Sequence, residues 1–206
     1  MSKWEKIAEL PTQMHGHSSV QVLDEIWVFY DDNIYVVPKT GSVTLISWPH
    51  GKLPRHSCAQ TNGVVTIVIP HESRDVYINS NVTSPQSWLK LDTLPTGLRH
   101  SSCLMMGSLI YVTGGCSGWE NSAKKETYVI DIENRSVKRV GDLLTGRCFH
   151  AMGVIDGAPA VVGGLSGKKY LDITEIFDTK NERWRENNIK MVKPSSEIAY
   201  VSFAVN

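Results

Sequence analysis

The feature that most constrains the fold of this chain is a repeat marked by tryptophan. Trp4, Trp48 and Trp88 are spaced 44 and then 40 residues apart, and Trp184 follows 96 residues later, about two further steps. Such a period is typical of repeat proteins, in which each unit buries its apolar faces only by stacking on its neighbours. We therefore expect one domain over residues 1–206, with repeats at about 4–48, 49–88, 89–137 and 138–184 and a partial repeat at 185–206.

A turn of similar sequence follows each tryptophan position. It contains Leu-Pro in the first three repeats, and Leu143 to Arg147 matches Leu94 to Arg99 when one residue is deleted, which places Val137 at the missing tryptophan position. A histidine follows each turn, and the four are His17, His56, His100 and His150. Equivalent positions of successive repeats lie on separate structural units, so the four histidines are not expected to bind one metal ion together. We expect each of them to have a packing role within its own repeat.

The apolar runs have the composition of β-strands. Val, Ile, Thr and Tyr fill them, Gly, Pro, Asn and Asp separate them, and no long stretch shows the 3.6-residue period of a helix. Each repeat accommodates four short strands, and the second strand of the later repeats ends in Gly114-Gly115 or Gly163-Gly164. A double glycine indicates positive φ or close backbone approach. The chain is therefore predicted to be an all-β propeller of four-stranded blades.

The third repeat resembles the kelch repeat. It contains Arg99-His100, the strand Leu109-Ile-Tyr-Val-Thr-Gly-Gly115 and the segment Tyr128-Val-Ile-Asp131, and the repeat from Arg147 to Trp184 is similar. The first two repeats lack the double glycine and match mainly by position. The resemblance implies a kelch-type propeller with four four-stranded repeats plus terminal strands of a partial further blade. Because an incomplete blade exposes strand edges, we expect self-association.

Charge and hydropathy narrow the functional class. The 21 Lys and Arg balance the 21 Asp and Glu, so a nucleic-acid partner is not expected. The start of the chain lacks the apolar stretch of a secretory signal, and apolar runs such as Val64–Ile69 are far shorter than the roughly 20 residues that span a bilayer. We predict a cytoplasmic protein without membrane contact, with buried thiols at Cys58, Cys103, Cys116 and Cys148.

No residue set in the sequence indicates catalysis. Cys148 lies close to Arg147 and His150 and is the one candidate nucleophile, but a buried packing cysteine is the preferred interpretation. Carboxylates such as Asp31-Asp32 are not paired into an acid and a base at a defined separation. We therefore predict no catalytic residue, no cofactor and no metal.

The kelch resemblance also implies that the turns after the double glycine and after the tryptophan strand share one face, which commonly binds a partner. Trp, Tyr and Arg dominate interface energies. Trp119 lies outside the repeated tryptophan position, so it either docks a partner or covers its own blade, and the arginines either bind an acidic segment or tie blades together. The candidate partner-binding residues are Arg55, Arg99, Trp119, Asn121, Arg147, Lys168 and Tyr170.

The resemblance implies a non-catalytic protein-interaction platform. Kelch-like proteins often recruit substrates to a cullin-type ubiquitin ligase, typically behind a BTB domain, while others bind actin of the cytoskeleton. The alternatives are a kelch-propeller enzyme, of the sugar epimerase or specifier-protein type, and a truncated product with a degraded function. Because fold alone does not establish function, the choice between these alternatives depends on the residues of the site.

Overall fold

The computed structural model describes residues 5–117 and 122–197, and every regular element in these ranges is a β-strand. The strands form four four-stranded antiparallel sheets and two short hairpins. Trp4, Trp119, Asn121 and residues 198–206 of the partial repeat lie outside the described residues. Nothing in the described part of the chain forms a helix long and apolar enough to cross a membrane. The all-β prediction is therefore confirmed.

The first compact unit comprises the residues up to 71 together with 75–91. Its first sheet consists, in chain order across the sheet, of β1 (Ser18–Val22), β2 (Glu25–Tyr30), β3 (Asn33–Pro38) and β4 (Thr44–Ser47). The second has the same order with β5 (Cys58–Thr61), β6 (Thr66–Ile69), β7 (Asp75–Asn79) and β8 (Leu89–Thr93), the last of which extends past the boundary of the unit. The first strands of the two sheets, β1 and β5, pack together.

Strand β2 explains why the first sheet is covered on both faces. Side chains alternate along a strand, so Trp27 and Phe29 enter one apolar cluster while Val28 and Tyr30 enter another. The first cluster also contains Trp48 and Trp88, whose ring centroids are 5.0 Å apart. The repeated tryptophans of this unit thus fill its core.

The second compact unit comprises residues 72–74 and those from 92 onward. One sheet consists of β9 (Ser102–Met106), β10 (Leu109–Thr113), β13 (Thr127–Asp131) and β14 (Ser136–Arg139). The other consists of β15 (Ala151–Ile155), β16 (Ala158–Val162), β19 (Ile173–Asp178) and β20 (Arg183–Lys190). The hairpins are β11 (Cys116–Ser117) with β12 (Ser122–Ala123), and β17 (Leu165–Ser166) with β18 (Lys169–Tyr170). Each hairpin follows the second strand of its sheet.

Trp184 packs between the two sheets of this unit. It is 3% exposed, and its indole N–H donates to Thr127 Oγ1 of the neighbouring sheet over 2.9 Å. In its own sheet Trp184 is opposite Phe177, and Val137 is opposite Ile130 in the same register. Val137 therefore takes the tryptophan position of its sheet, where it is half-buried.

Candidate functional site

The residue two positions before each first strand adopts left-handed backbone. In the first to fourth sheets these residues are, in order, Gly16, His56, His100 and Phe149, and their φ values lie between 52° and 69°. Within the first unit the His56 N–H donates to Gly16 O, and within the second the Phe149 N–H donates to His100 O over 3.0 Å. Glu197, with φ of 57°, donates its N–H to Phe149 O over 2.9 Å and continues the same pattern.

The repeat histidines consequently occupy two positions, which corrects the expectation of one. His56 and His100 are the left-handed residues themselves, whereas His17 and His150 come one residue later, directly before the first strand. His56 lies over the backbone of Gly16, and the His100 ring stacks on Phe149 with centroids 3.8 Å apart. His17 is exposed.

His150 is the buried member of the four. It is 5% exposed, its Nε2 lies 2.8 Å from Thr113 Oγ1, and its Nδ1 has no hydrogen-bond partner among the described residues. Burial, together with the positive charge of Arg147, lowers the pKa of His150 to about 3. The imidazole is therefore neutral at physiological pH and serves the packing of the interior.

The double glycines hold the start of each hairpin against the segment leading into a first strand. Gly114 and Gly115 have φ of 58° and 95°, and Gly163 and Gly164 have 62° and 98°. A Cβ on Gly115 or Gly164 would lie 2.8 Å from a backbone oxygen, that of Arg99 or of Cys148. Only glycine satisfies both the left-handed φ and the close approach.

The first sheet has left-handed residues at the corresponding place, but they form a two-residue turn between β2 and β3. Asp31 and Asp32 follow the second strand with φ of 47° and 62°, a conformation that aspartate tolerates better than most residues. The Asp32 carboxylate accepts the Leu53 N–H over 2.5 Å. Without Gly-Gly, this repeat keeps the left-handed backbone but turns directly into β3, whereas each double glycine leads into a hairpin.

The arginines separate into two structural positions. Arg55 and Arg99 directly precede their left-handed histidines, whereas Arg147 lies two residues before Phe149. The turns of the third and fourth sheets therefore align without the deletion assumed from the sequence. The structural equivalent of Arg99 is Cys148, since each exchanges backbone hydrogen bonds with the first residue of a hairpin, Cys116 or Leu165.

Arg147 is fully buried in an ion pair with Glu175. Its side chain is 0% exposed, that of Glu175 is 1% exposed, and Nη2 lies 2.5 Å from Oε1. The guanidinium also donates to Gly163 O over 2.8 Å, while the carboxylate accepts the N–H groups of Leu144 and Thr145. Burial lowers the pKa of Arg147 and the carboxylate opposes that shift.

The burial of Arg147 favours the role of tying blades together over the role of binding an acidic segment of a partner. Its guanidinium is not exposed to a partner. Sequence reasoning missed Glu175, its counter-ion. The available signal was a carboxylate in the middle of the strand Ile173–Asp178, directly before the apolar pair Ile176-Phe177, since buried carboxylates are almost always paired.

Arg55 and Arg99 remain at the surface of their units. Arg55 forms a bidentate pair with Asp31, at 3.2 and 2.9 Å, and lies 5.0 Å from the centroid of the Tyr30 ring. Arg99 Nε lies 2.8 Å from Glu72 Oε1. The pairing with Arg55 lowers the pKa of Asp31.

Lys168 and Tyr170 project from the β17–β18 hairpin. Tyr170 is 56% exposed, Lys168 and Lys169 are also exposed, and none of the three side chains forms a hydrogen bond or ion pair with the described residues. The neighbouring hairpin contacts this one through β12 and β17, and Arg99 pairs with Cys116 at the start of β11. Arg99, Lys168, Lys169 and Tyr170 together are named the loop face of the second unit.

The cysteines differ from the prediction of four thiols. Cys58 and Cys103 are disulfide-bonded, whereas Cys116 and Cys148 are buried thiols. Burial and the adjacent Cys116 raise the pKa of Cys148 to about 12. A thiol of this kind is a poor nucleophile at neutral pH, which fits the packing interpretation. Among the described residues, no three His, Cys, Asp or Glu side chains are grouped to hold a metal ion.

Comparison with known proteins identifies the repeat. The F-box/kelch-repeat protein At2g29830 of Arabidopsis thaliana is 33% identical over 95 residues, which cover 46% of this chain and 24% of that protein. The F-box/kelch-repeat protein At2g29600 of the same plant is 32% identical over 114 residues, covering 55% and 26%. The chain carries kelch repeats. No family model matches it.

The solved structures support the kelch-type propeller fold. The structure of YjhT, a kelch-type propeller, superposes with a TM-score of 0.57 at 12% identity, over 68% of this chain and 53% of that one. The prediction of a kelch-type β-propeller is confirmed, and the likeness to YjhT concerns the fold alone. The kelch chain spans about a quarter of the length of the curated relatives named above.

Proposed function

We propose that this kelch chain is a non-catalytic module that binds a protein partner through the loop face of its second unit. The observation that carries the proposal is the β17–β18 hairpin, where Lys168, Lys169 and Tyr170 are exposed and unused by the described fold. Tyrosine and arginine are the side chains that contribute most to interfaces, and the Arg99 backbone pairs with the first residue of the neighbouring hairpin, which contacts β17. Trp119 and Asn121, in the neighbouring hairpin, are included in the proposal on sequence grounds.

The backbone beneath this face supports a binding role. The left-handed glycines and the buried Arg147–Glu175 pair hold the turns to the sheets below them. A rigid scaffold under exposed loops lowers the entropy lost when a partner orders them. The exposed side chains are therefore presented on a support that does not have to rearrange.

We further propose that the module recognises substrates for a cullin-type ubiquitin ligase in the cytoplasm. The names of the relatives support this role because they combine kelch repeats with an F-box. They give no corresponding support to a BTB-linked or an actin-binding protein. The matched region covers 24% of At2g29830, so the F-box of that relative is part of a longer protein.

The test is affinity capture with a matched control. The variant Lys168→Glu, Lys169→Glu, Tyr170→Ala reverses the charge of the hairpin and removes its exposed ring. We expect it to lose at least tenfold in recovery of the partner that the parent chain retains. Lys180→Glu is the control, because Lys180 is an exposed lysine in the β19–β20 turn, whereas the hairpin lies between β16 and β19 at the opposite end of β19.

Two outcomes oppose the proposal. Equal capture by the parent and the hairpin variant, with both folded by circular dichroism, would remove the loop face as the binding surface. If Lys180→Glu also lost capture, the loss would depend on the positive charge of the chain in general and not on the β17–β18 hairpin. If the captured protein is identified, unchanged ubiquitination when the variant replaces the parent in cells would reject the ligase role.

A further inference from the structure

Two buried cysteines meet where the third and fourth sheets adjoin inside the second unit. Cys116 begins β11, and Cys148 lies in the segment that leads into β15. Both are 0% exposed and both are thiols. Partner binding through the loop face does not require either of them.

The backbone brings the two thiols together. The Gly115 N–H donates to Arg147 O over 2.8 Å, and the two cysteines are the residues that follow this hydrogen-bonded pair. Each is also held from the other side, because Cys116 N–H donates to Arg99 O over 2.8 Å and Cys148 N–H to Leu165 O over 3.0 Å. The Cys148 thiol donates to Leu165 O over 3.5 Å, and each of the two thiols shifts the pKa of the other. Their proximity is thus fixed by the main chain on both sides.

We propose that Cys116 and Cys148 form a redox pair that closes into a disulfide when a peroxide oxidises one of them. The thiolate of one cysteine attacks a peroxide oxygen, forming a sulfenic acid and releasing hydroxide. The second thiolate then attacks the sulfenic sulfur, so that the S–S bond forms and the oxygen leaves as water. In sum, two thiols and one hydrogen peroxide give one disulfide and two waters.

Burial sets the rate of this reaction. The thiolate is the reactive form, and burial raises the pKa of both cysteines, to about 12 for Cys148. Peroxide therefore reacts mainly when the segment around Cys148 opens locally. Once a sulfenic acid has formed, the adjacent thiol makes the second step faster than further oxidation by bulk peroxide.

The disulfide would link the hairpin of one sheet to the segment leading into the next. Because a cross-link restricts the unfolded chain, we expect the oxidised protein to melt higher, by on the order of 5–10 °C. The disulfide would therefore restrict motion between the hairpin that follows the double glycine and the segment that leads into β15, beneath the loop face.

The experiment uses the whole chain at neutral pH. Hydrogen peroxide is added with and without urea below the unfolding transition, and the protein is then denatured, alkylated and mapped by mass spectrometry. We expect Cys116 and Cys148 to lose their label together, a peptide linking them to appear, and urea to accelerate the change. Reduction should restore the label on both Cys116 and Cys148.

Cys116→Ser provides the control, and Cys116→Ala replaces it if the serine variant does not fold. Either variant should yield no linked peptide and no rise in melting temperature. The proposal is overturned if both thiols stay labelled after urea-assisted oxidation. It is also overturned if they oxidise separately to sulfinic acids, or if either exchanges into a link with Cys58 or Cys103.

Discussion

Arg147 and Arg55 show how one position along an extended segment changes the role of an arginine. Successive side chains of extended backbone point to opposite sides, so a shift of one residue turns a surface group toward the interior. Arg55 precedes its left-handed residue directly and remains exposed, whereas Arg147 is one residue earlier and fully buried. The same residue type therefore pairs with Asp31 at the surface and with Glu175 inside.

Replacing Arg147 should be strongly destabilising. Arg147→Met leaves the buried Glu175 carboxylate without its counter-ion, and such a loss typically costs about 3–5 kcal/mol in the free energy of unfolding. Urea denaturation monitored by tryptophan fluorescence measures the loss. Arg55→Met is the matched control, and we expect little change because exposed ion pairs contribute little to stability. Equal effects of the two substitutions would contradict the assignment of Arg147 to the interior.

His150 should make stability depend on pH. Its pKa is about 3 in the folded chain and near 6.5 when unfolded, so the unfolded chain binds the proton first as the pH falls. Its contribution to stability is complete above pH 6.5 and is lost progressively between there and about pH 3.

His150→Gln tests this contribution. Urea midpoints measured at pH 7, 6 and 5 should fall less steeply in the variant than in the parent, because glutamine does not titrate in this range. His17→Gln, at the exposed histidine, should leave the parent's slope unchanged. Identical slopes for the parent and His150→Gln would show that His150 is not held neutral.

At the scale of elements, the turn after the second strand is the point at which each sheet is anchored. Gly114-Gly115, Gly163-Gly164 and Asp31-Asp32 all adopt left-handed backbone there. The glycine pairs additionally approach a backbone oxygen of the segment leading into a first strand. The double glycine of the kelch pattern is thus required both for the left-handed backbone and for the close packing against a neighbouring segment.

Alanine substitutions separate these two requirements. Gly107 and Gly114 have φ of 60° and 58°, but a Cβ on Gly107 meets nothing within 4 Å, while one on Gly114 would clash with Arg147 O and the His150 ring. Gly107→Ala should cost about 1–2 kcal/mol through left-handed strain alone. Gly114→Ala should cost about 1–3 kcal/mol more through overpacking. Chemical denaturation of both variants checks the difference, and equal losses would mean that the close approach is unimportant.

At the scale of the whole molecule, the four sheets repeat one strand order, and the relatives confirm the kelch repeat. Self-association through exposed strand edges stays a prediction, as do the boundaries of the repeats. Trp48, Trp88 and Trp184 are all buried, and left-handed residues follow the second strand in the first, third and fourth sheets. The loop face, by contrast, is assembled from segments that are distant along the chain.

The sequence by itself determined the period, the all-β character and the left-handed Gly-Gly turns. These follow from local properties, namely residue spacing, β-propensity and the freedom of glycine at positive φ. Tertiary structure alone decided that Arg147 is buried against Glu175, that the histidines occupy two positions, and that Cys116 adjoins Cys148. Each of these depends on which neighbouring segment a side chain contacts. A shift of one residue in a turn moves a side chain to the opposite side of its segment, and neither composition nor repeat period reveals such a shift.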